Sequence, residues 1–214
     1  MRLNLILFFL IPLVCISQTP ADQVLAKSVA YHDPTQIWSN LSATYTFKET
    51  RPDGPDRSTV ITLDNSNGYM KINRNDEEVY EVTGEVAEVL KGDKDKDRAL
   101  VLRNYYLYLW GLPMKLLDKG TPGVALADDE KVGGKNCKVL RVAYEKDTWY
   151  FYIDENTGRM LQYKFYQDPG ETKGELIILE DEISVKGIKT PQKRSWHTLP
   201  EMKYLGTDIL SNVD

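Results

Sequence analysis

Two histidines, one of them beside an aspartate, are the side chains here best suited to proton transfer near neutral pH. His32 and Asp33, together with His197, could form a His–carboxylate site in which an imidazole acts as general base, as in a hydrolase-type enzyme. The plainer reading is that His32 ends a helix, where the dipole favours a partly charged ring. No G-x-S-x-G elbow occurs, nor a glycine-rich phosphate loop. His32, His197 and Cys137 lack the local spacing of zinc ligands. Asp93, Asp95 and Asp97 begin like a calcium loop, but Arg98 stands where the turn needs glycine and Asn104 where it needs glutamate. That run reads as a solvated helix start. Glu180-Asp181-Glu182 alternates across a strand and reads as surface. No catalytic residue is assigned outside the His32/Asp33/His197 alternative, and no metal or cofactor is expected.

Binding chemistry is better represented. The chain holds thirteen tyrosines, five phenylalanines and four tryptophans. Tyrosine joins an apolar body to a polar tip, which suits a cavity wall or rim. Tyr105, Tyr106, Leu109 and Trp110, with Trp149, Phe151, Tyr163 and Phe165, are the candidate lining of an apolar pocket between a helix and a sheet. Ordinary core packing is the alternative, because periodicity does not reveal whether side chains fill such a space. A third possibility is a cell-envelope interaction module that uses Trp38 and Trp196 as anchors.

The elements that would carry these residues are mostly strands. Residues 22–32 have helical spacing, with Pro20 and Asp22 at the start and Pro34 after the end. From Ala43 the period becomes two, and strands at 43–48, 58–64, 69–73 and 77–83 are separated by turn signals. A charge run, 93–97, precedes a nearly all-apolar helix, 98–110, capped by Asp97, ended by Gly111 and Pro113, and expected to be buried on several sides. Strands resume at 138–144, 149–153, 160–166, 175–185 and 188–198, the last with Pro191 at an edge or bulge. About ten strands and two helices describe an α+β, mainly β fold with a curved antiparallel sheet.

The first residues read as an export signal. Arg2 precedes the apolar run 5–14, which is too short to span a bilayer as a helix, for which roughly 20 residues are needed. Cleavage after Ser17 would leave one domain, residues 18–214, in the periplasm or secreted. Lipidation of Cys15, giving an outer-membrane lipoprotein, is the rival, but Val14 is a poor fit just before the cysteine. The formal charge is −5, and loss of Arg2 makes the mature chain one unit more acidic. Interspersed charge of that sign leaves no footprint for nucleic acid. Cys137 would be the one cysteine left, a small core residue rather than a reactive thiol. A monomer with no transmembrane segment is expected.

The order of elements, the helix ending Leu109-Trp110-Gly111-Leu112-Pro113, and Phe151-Tyr152-Ile153-Asp154 before Thr157-Gly158 and Met160-Leu161-Gln162-Tyr163 together resemble the periplasmic lipoprotein-carrier (LolA/LolB-like) superfamily. Tyr31-His32-Asp33-Pro34, Trp38, Gly187-Ile188-Lys189-Thr190-Pro191, Arg194 and Trp196 are similar to an uncharacterised family of secreted Bacteroidetes proteins. The resemblance implies a half-open β-barrel around a central helix and a hydrophobic cavity for acyl chains or other lipophilic cargo. It also implies a buried arginine that touches helix-loop carbonyls in a closed state. Arg51 lies near the corresponding strand but in a proline-rich turn, so that role is not assigned to it. The function expected is a non-enzymatic binder or carrier of a lipid or other lipophilic molecule, with a lipoprotein or an envelope protein as further partners.

Overall fold

The computed structural model describes residues 18–213, so the expected signal segment and Cys15 lie outside the described residues. Helix α1 (Pro20–His32) begins with a reciprocal cap: Thr19 Oγ1 accepts from Asp22 N–H while the Asp22 carboxylate accepts from Thr19 N–H. Pro20, which has no N–H to satisfy, occupies the first turn. A meander follows, β1 (Ser42–Thr50), β2 (Arg57–Asp64), β3 (Tyr69–Arg74), β4 (Glu78–Thr83) and β5 (Val86–Lys91). Helix α2 (Lys96–Gly111) then leads into a 3-10 turn at Met114–Leu117. A second set comprises β6 (Val124–Leu126), β7 (Glu130–Val132), β8 (Lys135–Ala143), β9 (Thr148–Asp154), β10 (Met160–Tyr166) and β11 (Gly174–Glu180). The small hairpin β12 (Ile183–Val185) and β13 (Ile188–Thr190) precedes β14 (Lys193–Leu199) and β15 (Tyr204–Val213).

Thirteen of these strands form one antiparallel sheet in the order β5-β4-β3-β2-β1-β15-β14-β11-β10-β9-β8-β6, with β7 also on β8. It is a curved open sheet, not a closed barrel. β15 pairs with β1 on one side and β14 on the other, and so joins the two meanders into one surface. The same period of two runs through it. Ala43, Tyr45 and Phe47 of β1, Ile61 and Leu63 of β2, and Phe151 and Ile153 of β9 all point into one core.

Several expected boundaries move. The described residues hold fifteen strands rather than ten. The expected strand 175–185 breaks at Asp181, which adopts φ 53°, and 188–198 breaks at Pro191, which has no N–H for the ladder. Asp95, not Asp97, caps α2, its carboxylate accepting from Arg98 N–H at 2.9 Å. Asp97 then sits in the first turn, where the dipole favours a negative charge. α2 also buries one stripe, Ala99, Leu102, Tyr106, Leu109 and Trp110, while Val101 is 56% exposed. Cys137 is buried beside Val139 and Tyr152, and burial pushes its thiol pKa up.

α1 is docked through the turn at 154–158. The Asp154 carboxylate accepts from the N–H groups of Asn156 and Thr157, which shapes the turn, and Lys27 Nζ donates to Glu155 O. Gly158 has φ 84°, and a Cβ there would lie 2.8 Å from the Lys27 carbonyl oxygen. Gly158→Ala is therefore expected to combine left-handed strain with lifting of α1. The loss should be about 1–3 kcal/mol, measured by urea unfolding.

Candidate functional site

Charged residues occupy the apolar phase of several strands at one end of the inner face. After Ala43, Tyr45 and Phe47, the next inward position on β1 is Glu49, which is 1% exposed. Its carboxylate accepts from Arg57 Nε, from Thr59 Oγ1 at 2.7 Å and from Tyr106 Oη of α2 at 2.9 Å. Burial alone would raise its pKa, but the donors Arg57, Thr59 and Tyr106 and the Arg57 charge hold it below the usual carboxylate range. On β3, Arg74 donates to Tyr106 Oη at 3.3 Å and lies 3.8 Å from Glu78.

Asp208 of β15 continues this belt. It accepts from Arg51 Nη1 at 3.3 Å, Tyr105 Oη at 3.3 Å and Trp196 Nε1 at 3.1 Å. Burial and the neighbouring Glu49 push its pKa up, and Arg51 opposes them. Arg194 of β14 is buried, with no carboxylate in ion-pair contact among the described residues. It donates to Leu109 O at 3.1 Å and Pro191 O at 3.4 Å, and its guanidinium carbon lies 3.4 Å from the centroid of the Trp110 ring. Tyr105, Tyr106 and the last turn of α2 are thus fastened to the sheet by polar contacts as well as by packing.

The eight expected lining residues, four of them on α2, belong to or pack against one core cluster. The Trp110 ring lies 4.3 Å from that of Phe47, and Tyr106 stacks on Phe47 at 5.9 Å. On the other flank Trp149 stacks on Phe165 at 4.4 Å and on Phe151 at 6.0 Å, and Tyr163 lies 5.9 Å from Trp149. Tyr108 bridges to this second group, 5.2 Å from Trp149. Tyr106, Leu109, Trp110, Phe151 and Tyr163 are buried, and the rings themselves occupy the space between helix and sheet. An open groove of about 530 Å3 lies beside them, between α1 and the 114–117 turn. Val29, Ala30, Pro34, Trp38, Met114 and Leu117 form its apolar wall, Asp33, Gln36, Ser39 and Asp118 its polar part; Met114 belongs to the core, and Trp38 packs against it.

His32, Asp33 and His197 are not joined by any hydrogen bond. Both ring nitrogens of His32 are spent on backbone: Nδ1 lies 2.7 Å from Lys189 O, and Nε2 accepts from Met160 N–H at 3.0 Å. That pairing requires the neutral ring protonated on Nδ1, and burial lowers the pKa accordingly. Asp33 receives the N–H groups of Ile37 and Trp38, and His197 packs on Tyr204. Trp196 is held by Tyr105 and Asp208. Trp38 lies against Gly111, where a Cβ would come within 2.3 Å of the indole.

Residues 2–213 match the model of a family of unknown function, DUF6503. The chain belongs to the DUF6503 family. No curated protein matches its sequence. Among solved structures, a LolA superfamily protein from Nitrosomonas europaea is similar over 92% of this chain and 94% of its own, with TM-score 0.59 and 12% identity. An outer membrane lipoprotein-sorting protein domain from Vibrio parahaemolyticus is similar over 90% of each chain, with TM-score 0.57 and 10% identity. A DUF1329 family protein from Desulfovibrio piger covers 92% and 93%, with TM-score 0.51 and 11% identity. The DUF6503 chain therefore has the LolA-like fold.

In this DUF6503 protein the segments around Tyr31-His32-Asp33-Pro34 and Gly187–Pro191 serve docking of α1. His32 reaches Lys189 O, Lys189 Nζ lies 4.2 Å from the centroid of the Tyr31 ring, and Tyr31 Oη donates to Glu182. Glu49 and Asp208 were not singled out from the sequence, and Arg194 was named there only for its family resemblance, without a role. The available signal was phase, and it was present for Glu49 alone, which falls on the inward position of the otherwise apolar alternation of β1. No helix among the described residues is long and apolar enough to cross a membrane.

Proposed function

We propose that this protein is an exported, non-enzymatic binder or carrier of a lipophilic molecule in the cell envelope. The observation that carries the reading is the groove of about 530 Å3 with an apolar wall whose Met114 and Trp38 also pack in the core that holds the α2 aromatics. Its volume lies in the range of small-molecule sites, ~300–1,000 Å3. Cargo enters at the groove and is accommodated as α2 withdraws from the sheet, so that Tyr105, Tyr106, Leu109, Trp110, Trp149, Phe151, Tyr163 and Phe165 face it. The donors of Arg194 to Leu109 O and of Tyr105 to Asp208 are the contacts broken on opening. The likeness in fold to a lipoprotein-sorting domain supports this reading. So does the commitment of both His32 nitrogens to backbone, which leaves that ring no part in proton transfer.

The test is saturable uptake of the apolar dye N-phenyl-1-naphthylamine by delipidated protein, together with mass spectrometry of organic extracts of the purified protein. Leu117 is 60% exposed, so Leu117→Glu should leave unfolding unchanged. It should weaken dye binding about tenfold, the equivalent of ~1.4 kcal/mol. Absence of both bound lipid and saturable uptake, or an unaltered L117E variant, would overturn the proposal.

A further inference from the structure

At the charged end of the inner face, every inward carboxylate except one has a guanidinium within ion-pair distance. Glu49 lies by Arg57 and Arg51, Glu78 by Arg74, and Asp208 by Arg51. Glu175 of β11 has neither a hydrogen bond nor a counter-ion on its carboxylate among the described residues. It shares the strand phase of the buried Ile177 and Leu179, and it lines a pocket of about 200 Å3 with Arg51, Tyr105, Trp196, Leu205 and Gly206. Desolvation is the one influence acting on its carboxyl, and raises its pKa.

The walls of this pocket complement a zwitterion. Tyr105 and Trp196, stacked at 5.8 Å, supply aromatic surface, which attracts ammonium groups through the ring quadrupole. Arg51, whose side chain is 30% exposed, brings a guanidinium that can accept a linked anion while keeping its contact with Asp208. Gly206 lets β15 lie close to Thr50 and Arg51 at the edge of the pocket: a Cβ there would stand 2.5 Å from Thr50 O and 3.0 Å from Arg51 Nη1. A bare anion would meet Glu175, and a bare cation would meet Arg51. A small group carrying both charges satisfies both walls.

We infer that this pocket binds a zwitterionic phospho-amine group, its ammonium on Glu175 beside the Trp196 and Tyr105 rings and its phosphate on Arg51. The inference deepens the carrier reading by naming a headgroup, yet it stands without that reading if the zwitterion is a free solute.

The experiment titrates phosphoethanolamine into protein with 15N-labelled indoles and by calorimetry, with inorganic phosphate as the control lacking an ammonium. The Trp196 indole resonance should shift saturably. Glu175→Gln should weaken phosphoethanolamine about tenfold or more while leaving the response to phosphate unchanged. Glu175→Asp, which keeps the charge, should bind with intermediate affinity. Co-flotation with phosphatidylethanolamine vesicles, but not phosphatidylglycerol vesicles, would make the source a lipid headgroup, and binding of the soluble compound alone would make it a free zwitterion. Equal binding by E175Q and wild type, or no response to either source, overturns the inference. Naphthylamine uptake measured on the same samples separates the two proposals: E175Q should retain it, and its absence from wild type would remove the carrier reading alone.

Discussion

Replacing His32 by alanine is expected to destabilise the fold by about 4 kcal/mol, because two buried backbone groups lose their partner at about 1–3 kcal/mol each. Those groups are Lys189 C=O on β13 and Met160 N–H on β10, so one ring ties α1 to two distant segments. The effect should depend on pH. Burial lowers the pKa of His32, against the Lys189 carbonyl, which raises it. Between the unfolded value of about 6.5 and the lower folded value, the unfolded chain binds the proton and the folded chain does not. Stability is therefore complete above about pH 6.5 and falls with acidification by up to about 1.4 kcal/mol per pH unit in that window. H32A should lack this slope. Urea unfolding of both proteins between pH 7.5 and 5, values flanking that ordinary histidine range of about 6.5, checks it. A parallel dependence in both would show that His32 is not the group responsible.

Glu49→Ala is expected to cost about 3 kcal/mol or more, the lower end of what breaking a buried ion pair costs, because Arg57 and Arg51 keep some access to water. Tyr106 Oη of α2 loses its acceptor as well, so the helix should loosen before the sheet does. Hydrogen exchange resolved by residue should show α2 amides deprotected more than those of β8 and β9. The sign with pH differs from that of His32. The folded pKa of Glu49 lies below its unfolded value of about 4.3, so its contribution is present above that value and is lost as pH falls through the folded pKa. The stability gap between wild type and E49A should therefore narrow only in that acid range. Asp208, raised by burial, works in the opposite direction and offsets part of the loss.

Much of the architecture was legible because local chemistry and tertiary structure agree. Pro20 and Asp22 start α1, to which the structure adds Thr19 as the reciprocal cap, and Asp33-Pro34 ends it. The period of two in β1 and β2 survives into burial, since a strand against a core has one dry face. β15 was not legible. Gly206, Thr207 and Asp208 interrupt any apolar alternation, and its place between β1 and β14 is set by partners far away in the chain. Its polar residues are tolerated because Arg51, Tyr105 and Trp196 meet Asp208 there.

The candidate site divides in the same way. Composition and spacing singled out the aromatic residues of α2, β9 and β10 and left them with two readings, pocket lining or core packing. They also left His32 and Asp33 with two readings, as helix end or as proton-transfer pair. What faces each nitrogen came only from tertiary structure: both face backbone, and burial lowers the pKa of the ring, against the partly charged imidazole expected at a helix end. Tertiary structure alone placed Glu49, Asp208 and Arg194 as buried charges fastening α2, and Glu175 as the inward carboxylate without a partner. Period and composition report which residues can be buried. Which charges then meet is a matter of distances between segments far apart in sequence, and the curvature of the sheet sets those distances.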